Sequence, residues 1–431
     1  MRTVIRKGRI VDPANNQDRI ADLYINNGKI IAIGDAPAGF KPDHTIEGKD
    51  RIVCPGLVDL SARLCEPGYE YKATIASETT AAASAGITSI CCPPDTYPVV
   101  DTLAVVELIH QRSLKTNMAR VYPLGALTHG LEGETLAEMH ALKSAGCVGV
   151  SNAYAPIDNS AVLRHTLEYA ATCDLTVHLF CEDSYLRDQG VAHEGIMSVR
   201  LGLPSIPETA ETVAVSRALL LVEQSGARVN FCRLSTARSI ELIEHAKKQG
   251  LPVTADVSIA HLHLTEMDLG TFNSYCYLRP PLRSQYDKEG LRRGLAEGTI
   301  DAICSNHQPH DDDAKSAPFS MTEPGASTLE VLLPLALQLV RDGSLNLAQA
   351  IATLTIKPAK IAGINAGHLG KGAVADICII DPEKSWTVKT DELLSAGKNN
   401  PFNGWELTGK VTHTLLGGRI VFEDQACLST K

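Results

Sequence analysis

Eight short apolar segments alternate with segments of helical periodicity between residues 52 and 365 of this chain. The candidate strands are residues 56–60, 88–92, 120–127, 147–151, 175–180, 228–234, 252–257 and 302–305. Eight consecutive strand-then-helix units predict an α/β fold with a closed (β/α)8 barrel of TIM type rather than an open sheet. One helix start is well marked, because Ser-Ile-Pro-Glu at residues 205–208 is typical of a capping box and predicts a helix over 211–223.

Both ends of the chain have a different pattern, with short strand-like segments separated by tight turns. Asn27-Gly28 is a strong hairpin signal between segments 22–26 and 29–34. The last sixty-odd residues repeat this pattern at 375–381, 409–416 and 419–423. We therefore predict that the two termini together form one small β-sandwich domain. The expected division is 1–52 and 365–431 for this β-domain, and 53–364 for the barrel.

Charge and hydropathy exclude several classes of partner. The net charge of −10 argues against binding to nucleic acid or to an anionic membrane surface. No stretch approaches the roughly 18 consecutive apolar residues of a membrane span. Residues 1–7 contain no apolar signal region, so we expect a cytoplasmic protein with no membrane association.

The twelve cysteines of the chain form no Cys-x-x-Cys pair, and most lie inside apolar strand-like segments. This distribution favours buried, reduced thiols over disulfides or a metal site.

Barrel chemistry lies at the carboxyl ends of the strands, and the first of these ends carries an informative motif. Residues 55–68, PGLVDLSARLCEPG, resemble the Pro-Gly-x-x-Asp-x-His-x-His-x-Arg-Glu-Pro-Gly pattern of dihydroorotases, which belong to the amidohydrolase superfamily. The resemblance extends over nearly the whole chain. It implies metal-dependent opening of a cyclic amide, a reaction that needs metal ligands and a carboxylate to shuttle the proton.

The resemblance also shows that the ligand positions have been replaced. Ser61 and Arg63 stand at the two histidines after the first strand, and Asn152 stands where an acidic ligand is expected. Phe180 and Arg233 replace further histidines. At the family's catalytic aspartate the chain has Asn306, whose amide has no titratable proton near neutral pH. We therefore expect no catalytic residue, no bound metal and no cofactor.

The substrate-binding positions of the family are changed as well. Cys65 replaces the arginine that anchors the substrate carboxylate, Asp95 replaces an asparagine, and Arg279 replaces a second asparagine. Ligands, base and substrate contacts have thus changed together, whereas turn-forming motifs such as Glu66-Pro67-Gly68 are kept.

A chain that keeps the frame of the family but lacks the residues for its reaction resembles the inactive dihydroorotase homologues of bacterial pyrimidine synthesis. That resemblance implies a pseudoenzyme that acts as a structural subunit of a hetero-oligomer with the catalytic subunit of aspartate carbamoyltransferase. It also implies contacts between copies of the chain itself.

Two other hypotheses remain open. His178, His261, His263, His307 and His310 could rebuild a metal site, which would make the chain an active cyclic amidohydrolase; the opposing interpretation makes His307 and His310 loop anchors. The second hypothesis concerns the arginines at the barrel mouth, which could bind an anion or could pair with internal carboxylates, and we favour pairing. The arginines are Arg63, Arg233, Arg279 and Arg283, and the carboxylates are Glu66, Asp95, Glu182 and Asp183.

Overall fold

The computed structural model describes residues 1–424. Within them the strands are β1 (Arg2–Asp12), β2 (Gln17–Asn26), β3 (Lys29–Ile33), β4 (His44–Glu47), β5 (Ile52–Pro55), β6 (Leu57–Asp59), β7 (Ile87–Cys92), β8 (Arg120–Ala126), β9 (Gly149–Ser151), β10 (Thr176–Phe180), β11 (Ala192–His193), β12 (Ser205–Ile206), β13 (Val229–Cys232), β14 (Val253–Ser258), β15 (Ala302–Cys304), β16 (Ile377–Thr387), β17 (Glu406–Leu416) and β18 (Arg419–Glu423).

The α-helices of the same residues lie mostly between the barrel strands. They are α1 (Ile75–Ser84), α2 (Leu103–Thr116), α3 (Met139–Ser144), α4 (Ser160–Thr172), α5 (Ser184–Arg187), α6 (Ile196–Leu201), α7 (Thr209–Ser225), α8 (Ala237–Lys248), α9 (Gln285–Glu297), α10 (Leu332–Arg341), α11 (Leu347–Leu354) and α12 (Ile356–Ile361). Among these helices none combines the length and the apolar character that a bilayer span requires.

The eight predicted barrel strands are confirmed. They form a parallel sheet in the order β6-β7-β8-β9-β10-β13-β14-β15. The first and last strands meet just beyond their carboxyl ends, where Ala62 and His307 form a parallel bridge. The buried Asp59 carboxylate accepts a hydrogen bond from the Ser305 backbone N–H at 2.9 Å and another from its hydroxyl. This contact closes the barrel next to the predicted site.

Residues 205–208 fold differently from the prediction. Ser205–Ile206 is strand β12, which pairs with β11, and helix α7 begins at Thr209. The residue before the helix is Glu208, which makes no side-chain cap. The helix itself is confirmed, but the capping box is wrong because Ser205 is used in a long-range strand pair.

The terminal sheet joins both ends of the chain, and the predicted β-domain of the fold class is confirmed. Its order is β18-β17-β16-β5-β1-β2-β3, with β4 paired to β1. Strand β5 pairs in parallel with β1 and antiparallel with β16, and thus links the two termini. The Asn27-Gly28 turn connects β2 to β3, with Asn26 opposite Lys29. The sheet continues through Pro55, three residues beyond the predicted boundary at 52.

Eleven cysteines lie within residues 1–424, and all eleven are buried free thiols, as predicted. Burial raises the pKa of Cys65 to about 12, so this thiol is protonated at neutral pH. Cys427 lies outside the described residues.

Candidate functional site

The six predicted ligand positions converge at the barrel mouth, each at or just after the end of a strand. Ser61 and Arg63 follow β6, Asn152 follows β9, Phe180 ends β10, Arg233 follows β13 and Asn306 follows β15. All six side chains are buried. The parallel strands bring these positions together because their carboxyl ends share one end of the barrel.

Arg233 connects the strand ends by direct contacts. Its Nη1 donates to Ser61 Oγ at 3.0 Å, and its Nη2 donates to the Ala153 carbonyl oxygen at 3.2 Å. The guanidinium carbon also lies 5.1 Å from the centre of the Phe180 ring. Burial opposes the charged form of Arg233, but neighbouring groups, Tyr154 first among them, outweigh burial and hold its pKa above the ordinary value. Arg233 is therefore a permanent cation that bridges the first, fourth and fifth barrel strands.

Arg63 forms a partly buried ion pair with Asp95. Both Nε and Nη2 of Arg63 lie 2.8 Å from Asp95 Oδ2. Burial opposes the Arg63 charge, but the Asp95 carboxylate outweighs burial and raises the arginine pKa. The expected pairing of a mouth arginine with Asp95 is confirmed.

Tyr154 lies at the centre of this group of arginines. The centre of its ring is 4.2 Å from the guanidinium carbon of Arg63, 4.9 Å from that of Arg233 and 5.0 Å from that of Arg279. Its hydroxyl lies 2.7 Å from the Arg279 carbonyl oxygen and 3.0 Å from Asn306 Oδ1. Stacking of cations on an aromatic face stabilises them where water is excluded. The motifs at the strand ends did not identify Tyr154.

Arg279 and the remaining acidic residues complete the ion-pair prediction only in part. Arg279 bonds the Glu182 carboxylate, with Nε 3.0 Å from Oε2, and Arg187 Nε lies 3.5 Å from the same oxygen. Glu66 instead pairs with Arg112 at 3.2 Å.

Asp183 and Arg283 also depart from the predicted pairing. Asp183 caps α5 by accepting from two backbone N–H groups. Arg283 donates to Ser235 Oγ and to the Ile206 carbonyl oxygen, and burial lowers its pKa. The pairing prediction is therefore correct for Asp95 and Glu182 and wrong for Glu66 and Asp183.

Four of the five histidines point to separate partners, and His178 has none within residues 1–424. His261 Nε2 lies 3.1 Å from the Pro280 carbonyl oxygen, and His263 Nε2 lies 3.0 Å from that of Leu335. For His307 the Nε2 partner is the Glu78 carboxylate at 2.7 Å, and for His310 it is the Pro324 carbonyl oxygen at 3.0 Å. Neither ring nitrogen of His178 has a hydrogen-bond partner within residues 1–424.

A divalent metal does not fit the residues at this mouth. Nowhere in residues 1–424 do three His, Cys, Asp or Glu side chains converge as a metal site requires. At the family's ligand positions stand two fixed cations, a phenyl ring, a hydroxyl and two amides. Arg63 and Arg233 would repel a metal ion, and the Asn306 side chain has no proton to exchange.

A small cavity of about 280 Å³ opens beside Arg63 and contains the changed substrate positions Cys65 and Asp95. Two cations line it, and both are paired: Arg63 with Asp95, and Lys72 with Glu323 at 2.5 Å. Because each positive charge already faces a carboxylate, this cavity offers no net attraction for an anion.

Comparisons with known proteins agree on the family to which this chain is similar. Residues 50–239 match the family described as Dihydro-orotase-like, and residues 338–422 match the Amidohydrolase family. A Dihydroorotase-like protein of Pseudomonas aeruginosa is 49% identical over 97% of this chain and 99% of its own length. A protein named Dihydroorotase from Syntrophus aciditrophicus is 43% identical, over 98% of this chain and all of its own.

Solved structures show the same fold. The L-hydantoinase (dihydropyrimidinase) of Arthrobacter aurescens superimposes with a TM-score of 0.89 at 25% identity, over 98% of this chain and 96% of its own. A dihydropyrimidinase from Brevibacillus agri gives a TM-score of 0.86 at 22% identity, over 99% and 96% of the two chains.

Proposed function

Because this chain belongs to the dihydroorotase-like family of the amidohydrolase superfamily, we propose that it is a catalytically inactive member. In this proposal it acts as a structural subunit of an aspartate carbamoyltransferase complex in pyrimidine synthesis. The proposed lack of catalysis rests on one observation: the side chains of Arg63, Arg233 and Tyr154 fill the barrel mouth. The second part rests on the resemblance described above, which names that partner.

The chemistry of ring opening explains why the mouth supports inactivity. Hydrolysis of a cyclic amide in this superfamily needs a metal-activated water and a carboxylate that moves a proton to the leaving nitrogen. A cation about 4 Å from a divalent ion repels it by roughly 8 kcal/mol at an effective dielectric constant near 20. Arg63 and Arg233 both hold positions from which the family binds metal. Asn306 cannot serve as the proton shuttle.

The retained frame supports a structural role. Glu66, which the family pattern keeps, accepts a hydrogen bond from the Ile75 N–H at the start of α1 and pairs with Arg112. Two asparagines hold the loops after β15: Asn399 accepts a hydrogen bond from the His310 N–H, and Asn400 donates one to the Ser327 carbonyl oxygen. The frame is therefore kept although the reaction chemistry is not, which supports a role other than catalysis.

The proposed lack of catalysis is tested by assaying the purified chain for hydrolysis of dihydroorotate with zinc in the buffer. The Syntrophus aciditrophicus relative named Dihydroorotase serves as the parallel control. We expect no turnover and no zinc carried through gel filtration. Zinc in stoichiometric amount together with turnover would overturn the proposal.

The structural part is tested by co-expression with the aspartate carbamoyltransferase catalytic subunit of the same organism. We expect the two chains to co-elute in size-exclusion chromatography, with transcarbamoylase activity higher than that of the catalytic subunit alone. Separate elution at micromolar concentrations of both chains would refute a stable complex. The two parts can fail independently.

A second candidate function is an active cyclic amidohydrolase, and the names of relatives favour it. Proteins named Dihydroorotase are 39–43% identical to this chain over nearly its full length. The dihydroorotate assay decides between the two candidates.

A further inference from the structure

A cavity of about 360 Å³ lies at the amino-terminal end of the barrel, opposite the mouth. It is formed where three neighbouring strands begin, at Thr176 of β10, Val229 of β13 and Val253 of β14, and helix α12 forms another wall. The cavity is separate from every residue that the proposed function uses. A ligand bound there would not meet the mouth.

The walls of this cavity are largely apolar. Val229, Val253 and Ile361 are buried core residues, and Leu251 and Pro252 extend the apolar surface. Binding sites for small organic molecules have this character: an apolar cavity of a few hundred Å³ with a small number of polar groups. The volume accommodates a molecule that contains one ring.

The charged groups of the cavity are three cations and one carboxylate. Lys357 and Lys360 line it, and neither ammonium group has a hydrogen-bond or ion-pair partner within residues 1–424. Arg228 also lines it, but its Nη1 pairs with the exposed Asp174 at 2.6 Å.

The acidic residue that lines the cavity forms its ion pair with a different lysine. Asp301 Oδ2 accepts from Lys247 Nζ at 2.6 Å and from the Ala255 N–H at 2.9 Å. Asp301 also attracts the Lys357 charge, but its ion pair is with Lys247, which does not line the cavity. Among residues 1–424, the two lysine charges therefore have no ion-pair partner beside the apolar wall.

The arrangement of the lysines favours an anion between them. Lys357 and Lys360 are three residues apart on α12, a spacing that places side chains on the same face of a helix. Two like charges at this spacing repel, and the half-buried Lys357 is also partly desolvated. Burial lowers the pKa of Lys357, although the negative charge of Asp301 opposes this shift. A bound anion would relieve both effects. Such a concentration of unpaired cations stands out in a chain with a net charge of −10.

From this geometry we propose that the cavity at the base of the barrel binds a small organic anion. The apolar body of the ligand packs on Val229, Leu251 and Ile361, and its phosphate or carboxylate group lies between Lys357 and Lys360. Lysine binds either group as a point charge, so the two anions share one recognition chemistry.

Isothermal titration calorimetry of the full chain at low ionic strength tests the proposal. The probes are phenyl phosphate, benzoate and inorganic phosphate, which separate the two anionic groups and the contribution of the ring. The test variant is Lys357→Gln with Lys360→Gln. The matched control is Lys41→Gln with Lys371→Gln, which removes the same charge at two exposed positions. Thermal unfolding without ligand shows whether both variants fold like the parent.

We expect saturable binding of phenyl phosphate or benzoate at one site per chain, and weaker binding of inorganic phosphate. The Lys357/Lys360 variant should bind the organic anion with an affinity that is lower by about tenfold or more, because at least one charge-assisted contact is lost. The control variant should bind it with unchanged affinity. Equal weakening in both variants would overturn the proposal, because it would show general attraction by charge. Absence of saturable binding for both organic anions would also overturn it.

Discussion

Replacement of Asp95 by asparagine tests whether the barrel mouth depends on internal charge pairing. The Arg63 side chain is 9% exposed and that of Asp95 is 26% exposed. At the observed 2.8 Å, two unit charges attract by about 6 kcal/mol at an effective dielectric constant near 20. Partial exposure of the carboxylate screens this attraction. Removal of one partner of a buried pair costs about 3–5 kcal/mol, so we expect a loss of about 3 kcal/mol for Asp95→Asn.

The expected loss can be measured in two ways. Urea unfolding followed by tryptophan fluorescence gives the change in free energy directly. An unfolding entropy of about 2.1 cal/mol/K per residue gives roughly 0.9 kcal/mol/K for a chain of this length, so Tm should fall by about 3 °C in a single transition. Asp18→Asn is the matched control, because the Arg9–Asp18 pair has a similar distance, 2.7 Å, but side chains that are 49% and 44% exposed. It should cost less than about 1 kcal/mol.

A second substitution distinguishes charge pairing from other effects of the asparagine. Arg63→Met combined with Asp95→Asn removes the unpaired buried cation, and we expect it to recover at least about 1 kcal/mol relative to Asp95→Asn alone. If Asp95→Asn costs no more than Asp18→Asn, Arg63 does not depend on Asp95, and the account of a mouth filled by internal ion pairs is wrong.

Three further predictions concern other buried groups. His178→Leu should raise the free energy of unfolding by about 1 kcal/mol, because it removes two buried ring nitrogens without partners; a loss above 1 kcal/mol in urea unfolding would contradict this. Burial lowers the pKa of His178, His261 and His263 to about 4, below the value of about 6.5 expected in the unfolded chain, so stability should fall as pH drops from about 6.5 towards 4. Urea midpoints across this range should decline, and less steeply in His178→Leu; a flat profile would refute the assignment. Glu78→Gln should lower the free energy of unfolding by about 3 kcal/mol and Ser395→Ala by only about 1 kcal/mol. The reason is that the Glu78 carboxylate accepts hydrogen bonds from His307, Ser395 and the Ala396 N–H, whereas Ser395→Ala removes only one of them. The reverse order in thermal unfolding would count against this.

The barrel could be predicted from the sequence because its strands are short, mainly apolar segments whose residues are almost all buried. The positions of the strand ends were predicted less accurately: β9 spans only Gly149–Ser151, although the apolar pattern begins at Cys147. The misassigned capping box has a clear physical cause: the pairing of Ser205–Ile206 with Ala192–His193 is a tertiary contact that no local pattern contains.

The composition of the site was predictable, but its contacts were only partly so. The alignment of strand ends placed Ser61 and Arg233 together, yet the hydrogen bond between them joins residues 172 positions apart. Asp183 was misassigned even though a local rule would have identified it, because an aspartate directly before a short helix usually caps that helix. The position of Tyr154 between three arginines depends on the packing of side chains from several strands, which the sequence does not specify.

The central claim is that the barrel mouth is filled by arginines and has no place for a divalent ion. It is tested most directly by a crystal structure of the full chain grown with zinc, with anomalous data collected at the zinc absorption edge. We predict no anomalous peak at the mouth and clear density for the Arg233 guanidinium within hydrogen-bond distance of Ser61 Oγ. A zinc peak at the carboxyl ends of the strands, with Arg63 and Arg233 displaced from their positions, would contradict the account.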